Sequence, residues 1–138
     1  MTLEAPRIFP TLRCRDADAM IAWLVGTVGF VAHAVYRHDG VVAHAQLAYG
    51  SAMVMLGQQR DDEYGAMVGD LDARRTDAIY VAVDDPDALH ATVAAAGTTI
   101  VTPPHETDYG SRDFAARDPE GNLWSFGSYW PKASDAPG

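Results

Sequence analysis

Residues 8–29 read IFPTLRCRDADAMIAWLVGTVG and residues 76–97 read TDAIYVAVDDPDALHATVAAAG, and the two stretches carry the same punctuation. In the first, Asp16 ends the apolar run Ile8–Cys14, an amphipathic stretch follows, and Gly29 stops it. In the second, Asp84 ends Ile79–Val83, and Gly97 stops another amphipathic stretch. The acid-to-glycine interval is 13 residues in both copies, and both marks recur at an offset of 68. A fixed offset of this kind is the mark of one supersecondary unit used twice.

Each copy predicts a strand, a capped helix and a glycine stop. Asp16 caps a helix around Ala17–Gly26, with Met20, Ile21, Trp23, Leu24 and Val28 as its apolar stripe. Asp84 or Asp85 caps the second, Pro86 suits its first turn, and Leu89, Val93 and Ala96 share a face. Strand-like segments follow each glycine: Val31–Arg37, Val41–Tyr49 and Ser51–Leu56, then Thr99–Thr107, Arg112–Arg117 and Leu123–Tyr129. The turns between them carry Gly40 and Gly50, then Gly110 and Gly121. Two β-α-β-β-β modules are expected, at 8–57 and 77–130, with a polar linker at 58–76 and a flexible tail at 131–138.

The 138 residues suffice for one domain of two small halves sharing a core. A single cysteine, Cys14, excludes an internal disulfide and reads as an inert buried thiol. The net charge of −9 argues against nucleic acid and anionic membrane surfaces, and suits either solubility or a cationic ligand. No leader segment or membrane-length apolar run is legible, so a cytoplasmic protein is expected.

The tandem modules, with Asp118-Pro119-Glu120-Gly121-Asn122 before the last apolar strand, resemble the glyoxalase/bleomycin-resistance/dioxygenase superfamily, the vicinal oxygen chelate proteins. The segments His44-Ala45-Gln46-Leu47, Tyr109-Gly110-Ser111-Arg112 and Trp124-Ser125-Phe126-Gly127 look most like its bleomycin-resistance branch. The resemblance implies an α+β fold, a cup-shaped and partly open mixed β-barrel with helices outside, and a homodimer. It also implies four strand positions for a divalent ion, and here these carry Phe9, Met55, Ala78 and Ser125. None of these is a good ligand for a hard or borderline divalent ion, and a one-residue slip of register does not assemble a set. No metal and no other cofactor is expected.

Strand alternation then sorts the side chains. Phe9, Thr11, Arg13, Met53, Met55, Ala78, Tyr80, Ala82, Leu123, Ser125, Gly127 and Tyr129 are expected to face the cavity, and Leu12, Cys14, Trp124 and Phe126 the core. If Val41, Ala43, Ala45, Leu47 and Tyr49 meet the helix, His44 and Gln46 enter the cavity, where they either orient a ligand or bond to a neighbouring strand or subunit. His105, Tyr109 and Arg112 surround a turn at its mouth; Arg112 either clamps a ligand or pairs with an acid such as Asp108 or Asp113. No nucleophilic triad and no phosphate-binding glycine loop is present.

The expected function is metal-independent binding of a small aromatic, drug-like or cationic molecule, with antibiotic resistance by sequestration as the resemblance implies. The competing readings are an enzyme, either with metal ligands relocated to His44, Gln46 or His105 or with His44 as acid–base catalyst, and a structural module whose cavity is filled by Met and Phe.

Overall fold

In a computed structural model, which describes residues 6–72 and 75–132, the chain divides into two compact units at Arg75/Thr76. The first contains β1 (Thr11–Cys14), α1 (Ala17–Trp23), β2 (Val31–His38), β3 (Val41–Tyr49), β4 (Ala52–Gln58) and α2 (Glu63–Val68). The second contains β5 (Ile79–Ala82), α3 (Pro86–Ala95), β6 (Ile100–Glu106), β7 (Arg112–Arg117) and β8 (Leu123–Gly127). The class is α+β, and the two units repeat one topology. The sheet orders are β1-β4-β3-β2 and β5-β8-β7-β6, and in each the first strand lies parallel to the last. Both sheets are open, with edges at β1 and β2 and at β5 and β6. Of the expected tail only Pro131 and Lys132 are among the described residues.

The helices start where the acids predict. Asp16 accepts a hydrogen bond from Ala19 N at 3.0 Å, and Gln58 Oε1 accepts one from Ala17 N at 2.9 Å, so the end of β4 satisfies a second free amide of α1. Of the two candidate acids in the second unit, Asp85 is the cap, accepting from Ala88 N at 3.1 Å, and Pro86 follows it. Past Trp23 the first helix widens into a π-helical turn, Leu24–Val28, before Gly29 turns out of it at φ 107°. Met20, Trp23, Leu24 and Val28 are buried along this helix, but Ala96 at the end of α3 is exposed.

Strand parity holds across most of both sheets. Leu12, Cys14, Val54, Leu56, Ala45 and Leu47 form the buried face of the first, and Phe114, Ala116, Trp124 and Phe126 that of the second. Three differences have local causes. The first strand begins at Thr11, because Pro10 lacks the amide that would extend its ladder. In β3 the register slips from Tyr36↔His44 to Arg37↔Val42, so Ala43 is bulged out and Val42, not the expected Val41 and Ala43, reaches the core. Pro103-Pro104 similarly interrupts β6 between the pairs Thr102↔Ala115 and His105↔Asp113.

Within the expected linker lies α2. Asp62 caps it through Gly65 N at 2.8 Å and also receives both guanidinium arms of Arg13, at 3.0 and 3.1 Å. The Arg13 guanidinium lies 4.7 Å from the centre of the Tyr64 ring. Arg13 holds the Asp62 carboxyl well below the usual carboxylate range, with the Gly65 amide assisting.

Candidate functional site

The turn Asp118–Asn122 positions the last strand. Asp118 Oδ1 accepts from the amides of Glu120 and Asn122, each at 2.9 Å, and Gly121 supplies the left-handed residue at φ 88°. Its Oδ2 accepts from the Trp124 indole at 2.8 Å, so Trp124 is a core element with its one polar atom satisfied. With Trp124 and Phe126 fixed inward, Ser125 and Gly127 are turned to the opposite face of β8.

On that face of the second unit, Tyr80, Tyr109, Tyr129 and Pro131 line a cavity of about 500 Å³. Tyr80 Oη donates to Tyr129 O at 2.6 Å, and the Tyr109 and Tyr129 rings meet edge to face with centroids 5.5 Å apart. Behind them Asp113 collects two donors: Tyr109 Oη at 3.0 Å and the hydroxyl of the buried Ser111. Ser111 Oγ in turn accepts from Tyr129 N at 3.0 Å. Gly127 leaves room for this cluster, since a Cβ on it would lie 2.1 Å from Asp113 Oδ1 and 2.6 Å from Tyr80 Oη and would displace them. Both phenols are pushed above the ordinary tyrosine value, Tyr80 chiefly by burial and Tyr109 chiefly because its proton is held by Asp113. At neutral pH they are donors and ring faces, not bases.

The ten residues singled out from the sequence fall in both units. Tyr80 lines this cavity, and Ser125 is its cross-strand neighbour. Arg112 is not paired with Asp108 or Asp113; it lies bidentate on Asp87 of α3, at 3.1 Å for both bonds, with Glu106 at 3.7 Å. His105 is exposed and its Nδ1 lies 3.0 Å from Pro103 O.

In the first unit Gln46 sits opposite Met55, and Met53 opposite Ala48. The Gln46 amide nitrogen lies 3.2 Å from His44 Nε2, so the two side chains are hydrogen-bonded to each other on this face. Tyr36 stacks on the His44 ring at 6.1 Å. Arg13 is committed to Asp62, and Phe9, just before β1, is 36% exposed. A second cavity, about 590 Å³, runs along α2 from Gln59 to Asp70. The network of Ser111, Asp113 and Tyr129 escaped the sequence reading; its signal was that Ser111 and Asp113, two apart on an extended chain, share a face.

The model of the Glyoxalase/Bleomycin resistance protein/Dioxygenase superfamily matches residues 7–126. The chain belongs to this superfamily. No curated protein matches it. Among solved structures it is similar to TioX from Micromonospora sp. ML1, at 27% identity and TM-score 0.72, over 90% of this chain and 100% of that one. It also resembles a family enzyme from Burkholderia phytofirmans PsJN, at 22% identity and TM-score 0.72 over 86% and 94% of the two chains. The fosfomycin resistance protein FosX from Mesorhizobium loti shares the fold at 18% identity and TM-score 0.64, over 93% of this chain and 95% of that one.

The superfamily's divalent ion fits this chain poorly. Phe9, Met55, Ala78 and Ser125 offer a phenyl, a thioether, a methyl and one hydroxyl, which is not a donor set for such an ion. Among the described residues no three His, Cys, Asp or Glu side chains come together as an alternative. Nor is any helix among them long and apolar enough to cross a membrane.

Proposed function

We propose that the protein binds a small planar aromatic molecule, without a metal, and holds it without transforming it. The observation that carries this reading is the cavity walled by Tyr80, Tyr109, Tyr129 and Pro131. Aromatic walls gain most from a flat apolar ligand, and here the phenol groups are fixed by Tyr129 O and Asp113 rather than left to rotate. Asp113 is bonded to Ser111, and among the described residues no histidine is bonded to either, so the cluster supports positioning more than acyl transfer. The open face of the first sheet, with His44, Gln46, Met53 and Met55, offers a second ligand-contact surface of the same mixed character. The working form is a homodimer in the cytoplasm, acting by stoichiometric capture.

The test is a titration with planar probes such as quinoline, followed by tyrosine fluorescence, before and after exhaustive chelation. Saturable binding that survives chelation, with the probe recovered unchanged, supports the reading. Binding that requires a stoichiometric metal, or recovery of a converted product, replaces it with the enzymatic one.

A further inference from the structure

The acidity of the chain is not spread evenly. Residues 76–138 carry ten Asp or Glu against three Lys or Arg, whereas residues 1–75 carry nine against seven. The tyrosine cavity therefore sits in the unit that holds −7 of the net −9. Of that unit's arginines, Arg112 is taken by Asp87 and Arg117 donates to Gly121 O at 3.2 Å. Asp113 has two neutral donors, Tyr109 and Ser111, and no cation is bonded to it among the described residues.

Three tyrosine rings around one space, with a carboxylate behind them, form an arrangement with a defined preference. The face of a phenol ring is the negative end of its quadrupole and attracts a cation. A phenol that donates to a carboxylate shifts electron density into its ring, so Tyr109 is the stronger for its bond to Asp113. The half-buried carboxylate adds negative charge beside the rings while it is held in place by two hydroxyl donors. Both Tyr80 Oη and Asp113 Oδ1 close on the same point above Gly127, so the charge stands immediately behind the aromatic wall.

We propose that the Tyr80–Tyr109–Tyr129 cavity is a subsite for an organic cation, a quaternary or protonated nitrogen carried on or beside an aromatic ring, with Asp113 as its counter-charge. This rests on the reading that the cavity binds planar aromatics, and it names the charge of the ligand.

The deciding experiment compares N-methylquinolinium with quinoline, which is neutral at neutral pH, by titration and by NMR of the tyrosine rings. The charged probe is expected to bind about tenfold more tightly, with the margin shrinking as salt is added. In Asp113→Asn the ratio of the two affinities falls toward one, whatever the change in quinoline affinity itself, because the counter-charge is gone while the rings remain. Should that variant fail to fold, Tyr129→Leu serves instead: Tyr129 is 45% exposed and bonds to Tyr80 through its backbone, so its ring is dispensable to the fold. There the charged probe loses more affinity than the neutral one.

Equal affinity of the two probes overturns the cation subsite and leaves the aromatic reading standing. A margin untouched by both variants also overturns it. Failure of both probes to perturb the tyrosines overturns both readings.

Discussion

The indole of Trp124 donates to Asp118 Oδ2 at 2.8 Å, and both residues are buried. The carboxylate that shapes the turn is thus tied to the largest side chain of the second core. Asp118→Ala removes at once the three hydrogen bonds that the carboxylate accepts from the Trp124 indole and the amides of Glu120 and Asn122. A loss of about 2–4 kcal/mol in unfolding free energy is expected. Trp124→Phe keeps most of the packing but strands Oδ2, for about 1–3 kcal/mol. Urea unfolding of both variants measures the two values, and an Asp118→Ala protein as stable as the parent contradicts the assignment.

Gly57 and Gly127 occupy matching positions near the ends of β4 and β8, but they predict different outcomes. A Cβ at Gly57 meets the backbone oxygen of Ala43 at 2.8 Å, which can yield only by moving β3. A Cβ at Gly127 meets only side-chain atoms, of Asp113 and Tyr80, which can be displaced without moving a strand. Gly57→Ala should therefore destabilise by about 1–3 kcal/mol. Gly127→Ala should cost less in stability and lose aromatic-probe binding, as thermal melts and titrations on the same samples will report.

The junction of Arg13, Asp62 and α2 should be sensitive to acid. The folded-state value of Asp62 is depressed, so its contribution is complete above the unfolded value of roughly 3.9 and disappears as pH falls below that. Asp62→Asn should speed amide exchange in Glu63–Val68 at neutral pH, and the gap to the parent should close as the pH is lowered. A gap that is constant with pH excludes the charged form as the source.

Tyrosine titration gives a check in alkali. Tyr80 and Tyr109 should ionise above the ordinary value of about 10. Because their folded-state values are raised, the stability they contribute is present below that pH and is lost as the pH rises through the higher values. Absorbance at the phenolate band should show two late tyrosines, and Asp113→Asn should bring Tyr109 back toward the others.

The fold was legible because its signals are local. Asp16, Asp85, Gly29 and Gly97 each bond or bend within a few residues of themselves, and alternation carried the buried faces of β1, β4 and β8. The α2 helix was not, since six residues are too few for a periodic stripe and its hold on the unit is Arg13, 49 positions away. The bulge at Ala43 arises from pairing with β2, which no pattern within β3 encodes. The site was legible in part: Tyr80, Tyr109 and Tyr129 could be placed by parity and turn position. Asp113 drew notice only as a partner for Arg112, whereas that arginine reaches 25 positions back to Asp87.

Among the described residues the first strand of each unit pairs only with the last. During synthesis β1 must therefore wait, without a neighbour, until Gln58 has emerged, and β5 until Gly127 has. The hairpin of β2 and β3 can close early, but neither sheet is whole until its module is finished, which makes each half an all-or-none product of translation.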